Sequence, residues 1–150
     1  MRTLSPLKIF WLCVVLIVGG FAVNVMAGDP MKVKMTLVWG TDEENPKDKT
    51  LKPADPHMVA KFREMCKWKN YFEVTNTVVT ISQNATNKVR LSPKAEIELS
   101  NLGSMGLAAK FYGEHKLIYE GKSKVEVGKH WGIAGGDKNS TAWFVVLTPQ

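Results

Sequence analysis

Few residues in this chain have the type and spacing that chemistry needs. Cys66 lies on a stretch where Val59, Phe62 and Met65 recur at helical spacing. A thiol nucleophile requires a lowered pKa and a base close by. Lys67 is adjacent, and His57 lies about two and a half turns back along the same helix. A free cysteine on an apolar stripe usually packs as a small hydrophobe, and that is the expectation for Cys66. An unpaired thiol in an exported protein can also form an intermolecular disulfide. His57, His115 and His130 fall in three separate segments, without H-x-H, H-E-x-x-H or C-x-x-C spacing, so no metal site is expected. A blue-copper arrangement would need Cys, His and Met close together late in the chain. Here Cys66 is in the first half and no Met follows Met105. Glu96 and Glu98 share one side of a strand, where two carboxylates are ordinarily solvated. With no nucleophile elbow or phosphate loop either, no catalytic set, cofactor or enzyme activity is expected.

The aromatic residues are more suggestive. Trp68-Lys69-Asn70-Tyr71-Phe72 joins a helical stretch to a strand, and His130-Trp131 opens another strand. Exposed rings flanked by Lys and Asn suit stacking on sugars or anchoring a protein, which makes Trp68, Tyr71 and Trp131 the candidate binding residues. Trp39 and Trp143 lie within strands and are expected to pack inside. Asn84-Ala85-Thr86 and Asn139-Ser140-Thr141 match the glycosylation sequon, both in turns.

These residues need a scaffold, and 150 residues allow one domain plus a targeting segment. Arg2 and Lys8 precede an apolar run from Ile9 to Val23, and Val25-Met26-Ala27 ends in a small residue. This is the pattern of a cleavable secretory signal peptide over residues 1–27, leaving a single domain over residues 28–150 with no stable membrane span. Without Arg2 and Lys8 the formal charge falls from +6 to about +4, spread along the chain with acids interleaved. No basic block appears, so nucleic acid is not an expected partner.

Lys32 to Trp39 alternates with a period of two, placing Val33, Met35, Leu37 and Trp39 on one face of a strand. Thr41 to Ala54 is a polar loop broken by Pro46 and Pro53. Asp55-Pro56 reads as an N-cap and first turn, and the spacing predicts a helix over Pro56–Trp68. From Tyr71 onward strands recur about every ten residues. They include a hairpin about Gly121 that pairs Lys116–Glu120 with Lys122–Val127. The expected fold is a mainly β, antiparallel, immunoglobulin-like sandwich, with one helix across an end or between the sheets. The chain resembles small exported β-sandwich proteins in architecture, not in motif, so the resemblance carries no site. The expected function is that of an exported, periplasmic or extracellular, non-catalytic binding or structural module of the cell envelope. It would engage a protein partner through a sheet edge or the Thr41–Ala54 loop with the Trp68–Tyr71 corner. The alternative is a polysaccharide- or anionic-lipid-binding module, and after it a small enzyme using Cys66 with His57 or His130.

Overall fold

The computed structural model describes residues 28–137 and 139–150; the expected leader, residues 1–27, lies outside them. Alternating apolar residues produce β1 (Met31–Thr41), which pairs antiparallel with two strands. On one side is β3 (Asn70–Ile81), and on the other is β9 (Ala142–Pro149). A two-residue strand, β2 (Lys52–Pro53), extends β3 outward, and β8 (Trp131–Gly136) flanks β9. The five-stranded sheet thus runs β2-β3-β1-β9-β8. The second sheet is a meander of β4 (Thr86–Ser92), β5 (Ala95–Gly103), β6 (Gly106–Gly113) and β7 (Lys116–Lys124). The described residues are therefore mainly β, with two antiparallel sheets and one short helix. An immunoglobulin arrangement divides consecutive strands between its sheets by Greek-key connections. Here four consecutive strands stay in one sheet.

Two hairpins of the meander turn on residue pairs with positive φ, Ser104-Met105 and Glu114-His115. Two successive left-handed residues define the tight turn whose twist matches its strands. It ordinarily uses Asn-Gly, which neither pair is. The expected hairpin about Gly121 does not form. Lys116–Lys124 is one strand with Gly121 inside it, opposite Ala109. A Cβ at Gly121 would collide with the Tyr119 hydroxyl, so this glycine leaves room for a ring and does not make a turn.

The main core fills the space between the sheets. Val33, Met35 and Leu37 of β1 and Val145 and Leu147 of β9 face Ile97, Leu99, Leu107 and Phe111. The alternate residues of the same strands form a second core: Val38, Ala142, Phe144 and Val146 face outward, under the helix. That helix, α1 (Pro56–Met65), packs on the outer face of the five-stranded sheet, not across an end or between the sheets. Its start is as expected, because the Asp55 side chain accepts from His57 N at 2.9 Å and Met58 N at 3.1 Å, with Pro56 in the first turn. Its end comes three residues early. Cys66 is extended, and Trp68 turns back to donate from Nε1 to Ser140 O at 2.8 Å. The buried stripe is correspondingly narrow. Met58, Val59, Phe62 and Cys66 contact the sheet, whereas Met65, one position from Cys66, points away and is 76% exposed.

Side chains close the two seams of the sandwich. Thr75 Oγ1 donates to Leu91 O at 2.5 Å and Asn87 Nδ2 to Thr80 O at 3.2 Å, joining β3 to β4. On the far side, the rings of Tyr119 and Trp131 meet edge to face with centroids 6.4 Å apart, joining β7 to β8. Among the described residues, no helix is long and apolar enough to cross a membrane.

Candidate functional site

The three aromatic candidates do not meet on one surface. Tyr71 is buried, 4% exposed, with its ring 5.4 Å from Phe62 and 5.8 Å from Phe144. Burial pushes its phenol above the usual range, and nearby Cys66 adds to the shift. Its hydroxyl has no hydrogen-bond partner among the described residues. Trp68 is half-buried, edge-on to Phe144 at 6.1 Å, with its indole N–H already bonded to Ser140. Both residues fasten the helical layer to the sheet. Trp131 lies apart from them, half-buried at the β7–β8 seam.

Cys66 is a free thiol, half-buried at the end of α1. His57, His115 and His130 are exposed, and His130 Nδ1 lies 2.7 Å from Thr148 Oγ1. Among the described residues, no three His, Cys, Asp or Glu side chains gather where a metal ion could be held.

Glu96 and Glu98 belong to an ion-pair lattice on the outer face of the meander. Cross-strand register aligns Lys88, Glu98, Lys110 and Glu120 in one row. Glu96 is bound by Lys88 at 3.0 Å and Arg90 at 3.0 Å, and Lys110 by Glu120 at 3.3 Å. Tyr112 OH lies 3.3 Å from both Glu98 oxygens, under the Lys88 ammonium, which is 5.0 Å from the ring. Charges that satisfy one another in this way leave little field for an acidic polymer. The hydrogen bond from Lys88, then that from Arg90, holds the Glu96 carboxyl below its ordinary value of 4.5. A carboxyl whose pKa is lower folded than unfolded stabilises the fold above that ordinary value. The contribution is lost as pH falls through the depressed folded value. Glu96→Gln should therefore flatten the acid limb of a plot of melting temperature against pH between about pH 5 and 3. An unchanged acid limb would show that the pair is energetically idle.

The feature that sequence reasoning missed is a cleft between the sheets at one open end of the sandwich. It encloses about 360 Å³, within the range of small-ligand sites. One wall is built from Leu37 and Trp39 of β1, Val74 of β3 and Trp143 of β9. The other comprises Ala95, Phe111 and Ile118 of the meander. Register explains the paired indoles, since Trp39 and Trp143 are cross-strand partners on the inner face. Trp143 packs against Phe111 at a tilt, with ring centroids 4.4 Å apart, and Trp39 lies 6.2 Å from Phe72. Two glycines give the rings and chains room. A Cβ at Gly135 would strike the Trp143 indole, and one at Gly113 would strike Ile118. Polar groups sit at the mouth: Ser92, Lys94, Glu114 and Asp137. Lys94 and Glu114 form an exposed pair at 3.5 Å, of the kind that competes poorly with a better partner.

Trp39 and Trp143 were expected inside, and they do lie on the inner face. One rung before the β1–β9 pairing ends at Gly40 and Ala142, however, the sandwich is not filled, and both are only half-buried. The available sequence signal was the offset of each Trp from its strand end, near Gly40 in one case and Ala142 in the other. That offset cannot be interpreted without the pairing. Comparison with family models, with curated proteins and with solved structures returns no match to this chain.

Proposed function

We propose that this protein is an exported, non-catalytic binding module of the cell envelope, and that the intersheet cleft is where it takes up the apolar part of its ligand. One observation carries the reading. Two cross-strand indoles and a phenylalanine packed against one of them line an open cleft, where a sandwich serving only as structure would bring its sheets together or cover the end. Half-buried aromatic rings with the charged groups at the rim are the make-up of a site that binds by desolvation and orients by its edge. The outer face of the meander, with its internally paired charges, offers a ligand less. This reading moves the engaged surface from the Trp68–Tyr71 corner to Trp39 and Trp143. Export rests on the basic, apolar and small-residue pattern of residues 1–27.

The test uses two neighbours on β7. Leu117 and Ile118 are each 50% exposed, but only Ile118 lines the cleft. Ile118→Glu should abolish binding of the apolar dye anilinonaphthalene sulfonate, while Leu117→Glu leaves it intact. Equal binding by both variants would place the dye elsewhere and remove the cleft as the site. Mass spectrometry of the extracytoplasmic fraction should find a chain beginning at Gly28, and retention of the full chain inside cells would refute export.

A further inference from the structure

We infer that the ligand of this cleft is a single-chain amphiphile: one alkyl chain of about ten to twelve carbons, bearing a polar head held at the rim. The inference rests on the cleft being the binding site and names what fills it. Size is the first reason. At about 30 Å³ for a group the size of a water or methylene, 360 Å³ holds roughly a dozen such groups. Shape is the second. The backbones of two packed sheets lie about 10 Å apart, so once side chains from both faces are in place a gap between them is about one chain thick. That excludes a folded, two-chained lipid.

The distribution of polarity is the third reason and separates the chemical classes. Leu37, Trp39, Val74, Ala95, Phe111, Ile118 and Trp143 line the walls, which offer two side-chain donors, the indole N–H groups, whereas the charged and hydroxyl side chains stand at the mouth. A sugar ring carries hydroxyls around its whole edge, and two indole N–H groups would leave most of them unpaired against these walls. An alkyl chain has nothing to pair, and its single polar end would meet Ser92, Lys94 and Glu114. The Lys94–Glu114 pair is exposed on both sides, 79% and 62%, so either partner can turn to a head group of opposite charge without breaking a buried contact.

The experiment uses protein purified from cells expressing the full chain, with ω-bromoundecanol and ω-bromoundecanoate as probes at concentrations where they are monomeric. Bromine quenches indole emission on contact, and Trp39 and Trp143 form one wall of the cleft. Saturable quenching is expected with both chains, and Ile118→Glu should weaken it at least about tenfold by placing a carboxylate beside the chain. Leu117→Glu should quench as the parent does, and circular dichroism of both variants should match it. Lys94→Ala should weaken the carboxylate probe more than the alcohol, which would place the head at the rim. If neither chain quenches saturably while the aromatic dye still binds in an Ile118-dependent way, the cleft stands and the amphiphile is wrong. If dye and chains are both indifferent to Ile118→Glu, the cleft reading fails with it. Quenching equal in both glutamate variants would likewise overturn the inference, since the chain would then be bound outside the cleft.

Discussion

A chain ending at Thr141 is expected to yield no folded domain. The deleted strand β9 is central, hydrogen-bonded to β1 along Val33–Gly40 and to β8 along its whole length. Its removal would strip both cores at once, because Val145 and Leu147 face the meander while Phe144 and Val146 face the helix. Each such side chain contributes about 1.5–3 kcal/mol on burial. Together they approach the whole stability of a typical domain, about 5–15 kcal/mol. Two rows of backbone groups, on β1 and β8, would also lose their partners. The truncated protein should appear only in the insoluble fraction, with no dispersed amide spectrum after refolding. A soluble, cooperatively melting product would mean that β8 can dock on β1 directly and that β9 is dispensable.

Phe144→Ala should produce the largest effect of any single substitution on the helical side. Phe144 lies 4.5 Å from Phe62, 5.8 Å from Tyr71 and 6.1 Å from Trp68, the rings that bind α1 to the sheet. Removing a buried phenylalanine ring costs about 3–5 kcal/mol, the transfer of the ring plus the cavity it leaves. For a domain of this size that corresponds to a fall in melting temperature of roughly 10–20 °C. The loss should be local in origin. Amides of α1 and of the Cys66–Asn70 connection should exchange with solvent well before those of β5 and β6, because α1 has only one fully buried residue of its own, Phe62. Uniform exchange across the molecule would show that the helix and the sandwich form one cooperative unit. Binding at the cleft, on the opposite face of the sheet, should survive at temperatures below the new transition.

Local pattern was sufficient for the strands whose two faces differ. Val33, Met35 and Leu37 identified β1, and Ala95, Ile97 and Leu99 identified β5, because a face buried against the other sheet imposes a period of two. Asp55 and Pro56 marked the start of α1 because capping is satisfied within one turn of chain. The end of α1 was not legible. It is decided by Trp68 bonding to Ser140, a residue 72 positions away. Gly121 was misread for a related reason, since a glycine that makes room for the Tyr119 hydroxyl looks locally the same as one that turns the chain. Asn101, a polar residue inside β5, is almost wholly buried, donating to Ile81 O at 3.0 Å and Asp29 O at 3.3 Å and accepting from Gly103 N, partners that local pattern does not announce.

The sequence by itself determined the mainly β class, the antiparallel two-sheet sandwich, most strand positions, the helix and its cap, and the scarcity of catalytic residue types. All of these follow from periodicity and turn chemistry over a few neighbouring residues. Only the tertiary structure decided which residues line the cleft. Tyr71 went inside because β3 pairs with β1 in a register that sets it under Phe62. Trp39 and Trp143 came to line a cleft because β1 and β9, more than a hundred positions apart, pair so that the two indoles face inward on one rung, beside the final Gly40–Ala142 rung. Periodicity assigns a residue to a face, but partners and open ends are set by pairing between distant segments, on which local pattern is silent.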